Sequence, residues 1–272
     1  MVKKNWLRMM ILLSALACLM SVSAVAQRSE REERGLACND NWNGNHASHC
    51  VIKEQTINAT GGKLDIDGNK NGGIAVKGWD RNEILIRAKI QTWADTDAEA
   101  RGLADQIRIE TGGGRIQAAG PDQGNHRGWA TSFEISVPRN SSLSLKTHNG
   151  GISISDVRGE IDFSALNGGV SLKRLSGDVK GQTTNGGLSI ELAGDRWDGA
   201  GMNVRTTNGG VNMHIPENYS AHLETGTING GMNVNIPITV TGKIERDLSV
   251  DLGSGGTTIR ATTTNGGVTI RR

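Results

Sequence analysis

The sequence has few aromatic residues, no excess of either charge and, beyond its first 26 residues, no long apolar run. Phe, Trp and Tyr make up 3% of the chain, which is unusual for a globular core. After residue 26, no stretch approaches the roughly 18 apolar residues that a membrane-spanning helix needs. We therefore expect no membrane span once the N-terminal leader has been removed.

The charges of the chain are nearly balanced. It has 30 basic and 28 acidic residues, and loss of Lys3, Lys4 and Arg8 with a cleaved leader leaves 27 against 28. Nucleic-acid binding needs a stripe of positive charge, whereas here Lys and Arg are scattered among Asp and Glu. The composition therefore predicts no nucleic-acid partner.

The N-terminus predicts export from the cytoplasm. A basic run ends at Arg8, an apolar segment follows, and Ala24-Val25-Ala26 has the small residues of a cleavage site, so residues 1–26 form a predicted signal peptide. Cys18 permits a lipoprotein alternative, although the residues before it form a poor lipidation motif. The expected location is periplasmic, cell-surface or extracellular.

Two cysteines remain after the leader, Cys38 and Cys50, and an oxidising compartment favours a disulfide between them. His46 and His49 lie beside them and raise the alternative of a metal site, because zinc takes Cys and His ligands. The spacing matches no standard structural zinc signature. We therefore predict a disulfide, no metal site and no cofactor.

The mature chain divides into a predicted flexible segment at 27–49, which contains Cys38, and a predicted β-strand-repeat domain at 50–272. The domain is dominated by a repeated word, Asn-Gly-Gly followed by alternating apolar residues, whose main copies are spaced by 18, 18, 23, 21 and 36 residues. Asn-Gly predicts a tight turn with positive φ, and the second glycine predicts a close approach of the adjacent coil. The predicted structural turn residues are Asn71, Asn149, Asn167, Asn185, Asn208, Asn229 and Asn265.

The alternation in each copy predicts short strands with one apolar face, which only stacking of neighbouring copies can bury. We therefore predict an all-β fold, a β-solenoid or β-roll of short repeated coils. The alternative is an antiparallel meander or sandwich in which each word closes a hairpin. One short capping helix is predicted near 97–107, because Thr96 and Glu99 have capping-box spacing before an apolar stripe.

The repeated Thr-x-Asn-Gly-Gly-[Ile/Val]-x-[Ile/Leu] word, the segment from Gly78 to Glu83 and a signal peptide followed by two cysteines together carry a resemblance. They resemble the bacterial β-strand-repeat family of unknown function labelled putative adhesin, over about residues 50–272. The resemblance implies an exported envelope protein with a solenoid-like all-β fold and no assigned reaction. It transfers no functional residue to this chain.

No catalytic or calcium-binding constellation stands out. Calcium-binding rolls need a carboxylate after their glycines, where this chain has Ile-Ser. Asp156, Glu160 and Asp178 are candidate carboxylates for glycoside cleavage, but their positions do not recur in register in later copies. The histidines occur singly, so no catalytic residue is predicted. Trp42 and Trp197, which lie in polar loops, are the candidate surface contacts.

These patterns predict an exported non-enzymatic β-repeat protein that binds at a surface or envelope in the manner of an adhesin. Its ligand would be an envelope, matrix or polysaccharide component, and the sequence leaves its identity and the oligomeric state open. The alternatives are a polysaccharide-acting enzyme on a β-helix and a purely structural envelope module. Function is expected in the insertions that lengthen the repeat spacing, around Trp197 and between 238 and 264.

Overall fold

The computed structural model describes residues 36–38, 46–237 and 246–272. The chain divides into two compact units, Met1–Asn39 and Asp40–Arg272, and the second contains all the strands described below. The predicted signal peptide and Trp42 lie outside the described residues. Within these ranges, no helix combines the length and apolar character needed to cross a membrane.

Two ten-stranded sheets enclose one aliphatic core. In spatial order, sheet A contains β1 (Ala47–Asn58), β4 (Glu83–Ala94), β7 (Gly128–Pro138), β3 (Ile74–Trp79), β9 (Ile152–Ser155), β11 (Val170–Lys173), β13 (Leu188–Glu191), β15 (Val211–His214), β20 (Val268–Arg271) and β17 (Met232–Asn235). Sheet B contains β18 (Asp247–Leu252), β16 (Ala221–Asn229), β19 (Thr258–Asn265), β14 (Gly201–Asn208), β12 (Ser176–Asn185), β10 (Arg158–Asn167), β8 (Leu143–Asn149), β2 (Leu64–Asp67), β6 (Arg115–Ala119) and β5 (Arg108–Glu110).

The repeating unit is a coil made of one strand in each sheet. In each coil the chain runs along a strand of sheet B, turns at Asn-Gly-Gly, and continues as a four-residue strand of sheet A, as β8 and β9 do. Successive coils stack parallel and in register, so that Val170 pairs with both Ile152 and Leu188. The predicted β-solenoid architecture is therefore confirmed, and the Asn-Gly-Gly words are corners between sheets rather than hairpins.

Antiparallel pairing, the predicted alternative, occurs at the ends of the stack. Strands β1, β4 and β7 pair antiparallel in sheet A, whereas β5 pairs with β6 and β16 with β18 in sheet B. β1 begins at Ala47, so residues 47–49 belong to a strand and not to the flexible segment predicted for 27–49. The pairing with β4 extends over the whole of β1, which gives these residues backbone partners.

Side chains alternate between core and surface along each long strand. In β10, Ile161, Phe163 and Ala165 are buried, whereas Asp162 and Ser164 point outward. Each fully buried large aliphatic side chain stabilises the fold by about 1.5–3 kcal/mol relative to its exposed state. Because few aromatic residues are available, the core is filled mainly by stacked Ile, Leu and Val.

The asparagines of the corners form a ladder along the stack. The Nδ2 of Asn149 donates to Oδ1 of Asn71 at 2.9 Å, and five further bonds of 2.8 Å continue the chain through Asn167, Asn185, Asn208, Asn265 and Asn229. None of these asparagines has a positive φ, so the predicted left-handed turn is wrong. The amide side chain is required for hydrogen bonding between coils.

The first glycine of each word allows neighbouring coils to approach closely. A Cβ built on Gly168 would overlap the carbonyl oxygen of Gly150, whereas one built on Gly169 would lie 3.6 Å from the carbonyl oxygen of Gly187. The prediction assigned this role to the second glycine, but the structure assigns it to the first. In most coils a buried threonine forms a hydrogen bond at the corner. The hydroxyl of Thr183, for example, donates to the carbonyl of Gly168 at 2.8 Å, and equivalent bonds come from Thr147, Thr206, Thr227 and Thr263.

The spatial order of the coils differs from their order in sequence. Strands β19 and β20 lie between the coil of β14 and β15 and the coil of β16 and β17. Thus Asn265 accepts a hydrogen bond from Asn229 and donates one to Asn208. Part of the segment between 238 and 264, predicted to be an insertion, is therefore an interior coil, and residues 238–245 lie outside the described residues.

The predicted capping helix is present as α1 (Asp97–Gln106). The hydroxyl of Thr96 accepts from the backbone of Glu99, and the Glu99 carboxylate accepts from the backbone of Thr96, which completes the capping box. Ala100, Leu103 and Ala104 form its buried face, and the helix packs on β1 and β4. A short 3-10 turn at Gly112–Gly114 precedes β6.

Candidate functional site

The structure does not support Trp197 as a surface contact. Its side chain is 5% exposed and its Nε1 donates to the carbonyl oxygen of Gly177 at 2.9 Å. The insertion that carries it packs against the start of β12, so the polar residues beside Trp197 in sequence do not keep its ring in water. The prediction was wrong because it used local polarity alone.

Cys38 and Cys50 are both disulfide-bonded. Neither is therefore available as a thiolate, the form in which cysteine binds zinc, and the Cys/His alternative loses two of its ligands. His49 lies in β1, where its carbonyl oxygen accepts a hydrogen bond from the Thr92 hydroxyl at 3.3 Å.

All three carboxylates considered for glycoside cleavage form ion pairs, Asp178 with Nζ of Lys180 at 2.7 Å. Asp156 accepts hydrogen bonds from Nε and Nη2 of Arg174 at 2.7 and 2.8 Å, and these bonds hold the pKa of Asp156 below its ordinary value. Glu160 accepts from Nζ of Lys63 at 2.9 Å. A general acid in such a reaction needs a raised pKa, so Asp156 is not suited to that role.

The outer side of sheet B, which we call the sheet B face, is a polar surface with shallow indentations. Two adjoining shallow pockets of about 280 and 350 Å³ lie on it and share Lys180 and Asn203 in their linings. Together they extend across β10, β12, β14, β19 and β16. The outward side chains that line them include Asp162, Ser164, Lys180, Gln182, Asn203, Arg205, Glu224 and Arg260.

The strand register places these groups in rows that cross the sheet. Asp162 lies beside Lys180 and Lys180 beside Asn203, while a second row places Gln182 beside Arg205. The guanidinium of Arg205 donates from Nε and Nη2 to Oε1 of Gln182 at 3.0 and 2.6 Å. Acidic, basic and neutral hydrogen-bonding groups therefore alternate on the sheet B face, and neither positive nor negative charge predominates there.

One end of the sheet B face carries a chain of three polar side chains. The Oγ of Ser249 lies 3.1 Å from Nε2 of His222, whose Nδ1 lies 2.7 Å from Oδ1 of Asp251. Glu224 also approaches Nε2, at 3.6 Å. The order of contacts is that of a Ser-His-Asp nucleophile triad. His222 lies on β16, and the other two residues lie on β18.

The meeting of these three residues was not predicted from the sequence. His222 and Asp251 face each other only because β18 pairs antiparallel with β16, and no turn signal in the sequence specifies that register. The spacing Ser-x-Asp, which places both side chains on one face of a strand, was the available signal. It is common in strands and does not identify a site by itself.

The repeated word agrees with the match of the chain to a known protein family. A family model described as Toastrack DUF4097 matches residues 39–271, whereas no curated protein sequence matches the chain. A solved structure described as a putative cell adhesion protein from Clostridium sporogenes is similar, with 10% identity and a TM-score of 0.42 over 82% of this chain and 99% of that one. A putative adhesin from Bacteroides fragilis is 10% identical, with a TM-score of 0.40 over 82% and 96% of the two chains.

A third solved structure, described as a putative lipid binding protein from Parabacteroides distasonis, is 11% identical, with a TM-score of 0.31 over 81% of this chain and 96% of that one. The family match includes every Asn-Gly-Gly corner of the stack. It confirms the resemblance carried by the repeated word. This chain belongs to the Toastrack DUF4097 family.

Proposed function

We propose that this chain is an exported, non-enzymatic protein that binds a polysaccharide of the cell envelope or matrix along the sheet B face. The observation that supports this proposal best is the pair of adjoining pockets that follows the stack axis across β10, β12, β14, β19 and β16. An elongated polymer fits such a surface better than a compact metabolite does, because its successive units meet successive strands about 4.8 Å apart.

The chemistry of the face favours a polar ligand of low net charge. Hydroxyl, amide and guanidinium groups alternate along the pockets, and acidic and basic side chains are interspersed, which disfavours a strongly anionic or cationic polymer. Ser164 and Asn203 point outward into the pocket that they line, and no hydrogen bond within the described part of the chain engages their side chains. Their polar atoms remain available to sugar hydroxyls.

Two further features support export. Both cysteines outside the predicted leader are disulfide-bonded, which fits an oxidising compartment, and the N-terminal 26 residues have the pattern of a signal peptide. The balanced charge of the mature chain fits neither nucleic acid nor a strongly anionic lipid surface.

The test compares the same substitution on the two outer surfaces. Asn203 on β14 and Asn212 on β15 are both exposed strand residues, one on sheet B and one on sheet A. We expect Asn203→Trp to fill the shared part of the pockets and to lower retention on insoluble envelope polysaccharide about tenfold, equivalent to about 1.4 kcal/mol. Asn212→Trp is the matched control and should bind like the unmodified protein.

Equal retention of all three proteins, with unchanged unfolding midpoints, would exclude the sheet B face as the binding surface. If retention requires envelope proteins and persists after the polysaccharide has been removed enzymatically, the chain is instead a structural module that docks onto a protein.

A further inference from the structure

Three ligand-forming side chains meet at the end of sheet A that carries β1, β4 and β7. They are His46, Asp95 and His126, and their donor atoms all lie within 4.8 Å of one another. The Nδ1 atoms of His46 and His126 lie 3.6 and 3.5 Å from Oδ1 of Asp95. The two imidazole rings approach edge to face, with their centroids 6.0 Å apart.

The strand register brings the three residues together. Ala47 of β1 and Ala94 of β4 form the last pair of an antiparallel ladder. His46 precedes Ala47 and Asp95 follows Ala94, so the two residues lie next to each other just beyond that pair. On the other side of β4, Trp93 pairs with Gly128, the first residue of β7, and His126 comes just before it. The central strand thus supplies the carboxylate, and each flanking strand begins close to a histidine.

Hydrogen bonds fix the segments that carry Asp95 and His126. Asp95 directly precedes the capping box of α1 at Thr96. Two bonds join the start of β7 to the loop before it. Trp129 of β7 donates from Nε1 to the carbonyl of Pro121 at 2.9 Å, and Gln123 of the loop donates to the carbonyl of Trp129 at 3.0 Å. A site built on such supports loses less conformational entropy when an ion binds than one on unsupported loops.

We propose that His46, Asp95 and His126 bind one divalent transition-metal ion of the zinc class. Two imidazole nitrogens and one carboxylate oxygen suit zinc rather than calcium or magnesium, which take oxygen ligands. Donors at about 2.0–2.2 Å from a tetrahedral zinc ion lie about 3.3–3.5 Å apart, so the observed 3.5 and 3.6 Å imidazole–carboxylate separations need little adjustment. The two imidazole donors lie within 4.8 Å of each other and would approach by at most about 1.5 Å. Three protein ligands leave one coordination position for water or for an acidic group of a bound molecule.

This site joins the starts of β1 and β7 to the end of β4. Because β1 is the edge strand of sheet A, a bound ion ties that edge to the sheet by a link independent of its ladder hydrogen bonds. No metal site was predicted from the sequence. Residues 46, 95 and 126 are too far apart in sequence to form a recognisable spacing, and only the order β1-β4-β7 brings them together.

The experiment uses the oxidised mature chain without a polyhistidine tag, dialysed against chelator and titrated with ZnCl2. We expect binding of about one ion per chain, a rise in the thermal unfolding midpoint with zinc, and visible d–d absorption when CoCl2 replaces zinc. His126→Ala and Asp95→Asn should each weaken binding at least tenfold. The side chains of Asp95 and His126 are 63% and 74% exposed, so these variants keep the packing of the core.

His214→Ala is the matched control, because His214 is an exposed histidine of β15 outside the cluster. It should bind zinc and cobalt like the unmodified chain. Circular dichroism confirms that each variant is folded. The proposal is overturned if the folded chain binds no zinc, if His126→Ala binds as tightly as the unmodified chain, or if His214→Ala loses binding to the same extent.

Discussion

At the scale of single residues, Tyr219 offers a direct test of the core, because it is the only tyrosine in the chain. It is 3% exposed, and burial, aided by the carboxylate of Asp195, raises its pKa to about 12. We expect tyrosinate absorbance to appear near pH 12 in the folded protein and near pH 10 in guanidinium. Between about pH 10 and about pH 12 the phenol of Tyr219 ionises only in the unfolded state, so the free energy of unfolding should fall as pH rises. Below about pH 10, Tyr219 should not change the free energy of unfolding.

A shared titration midpoint in folded and unfolded protein would contradict the burial of Tyr219. Because unfolding at high pH would shift the apparent midpoint, circular dichroism at each pH provides the control. The absorbance change is then assigned to the folded state only where the β-sheet signal persists.

The contacts of His222 give the sharpest test of the non-enzymatic proposal. We expect no covalent labelling of Ser249 by a fluorophosphonate probe. The side chain of Asp251 is 67% exposed, so water screens its effect on the imidazole, and Ser249 lies within a strand rather than at the strand-to-helix turn of a hydrolase nucleophile. The measurement is mass spectrometry of the intact protein after incubation with the probe.

Ser249→Ala and His222→Ala are the controls for that experiment. Labelling that disappears in both variants would establish an activated serine and would replace the non-enzymatic proposal with acyl transfer. Labelling that persists in Ser249→Ala would come from another residue and would show that Ser249 is not the reactive group.

At the scale of the repeated elements, the two glycines of one corner have different tasks. Gly168→Ala places a methyl group against the carbonyl of Gly150 and should cost about 1–3 kcal/mol or more, because two coils must separate. Gly169→Ala meets ordinary contact distances without a positive φ, so we expect a change below about 1 kcal/mol, with a stabilising contribution from the unfolded chain. Urea unfolding of both variants measures the difference.

Equal destabilisation by the two alanines would contradict the assignment of the close approach to the first glycine alone. The sequence pattern could not separate them, because both occur in every copy. The choice depends on which carbonyl of the neighbouring coil faces the corner, and that follows from stacking geometry rather than from composition.

At the scale of the whole molecule, periodicity predicted the solenoid, its aliphatic core and α1, because each depends on local alternation or cap chemistry. The same information could not predict the coil order. The words at Asn208, Asn229 and Asn265 are chemically equivalent, so any of them fits beside any other. Both side-chain clusters, at Asp95 and at His222, depend on antiparallel pairing at the ends of the stack, for which the repeat contains no signal.

The position of β19 and β20 has a consequence for how the chain reaches its native state. Synthesis makes β16 and β17 before residues 258–271 exist, yet those residues separate the coil of β16 and β17 from that of β14 and β15. Early stacking of the two older coils would be a kinetic trap, which the downstream coil must prevent or undo. The native order of these three coils can therefore be completed only after residues 258–271 have been synthesised, so the last coil of the sequence controls when the stack closes.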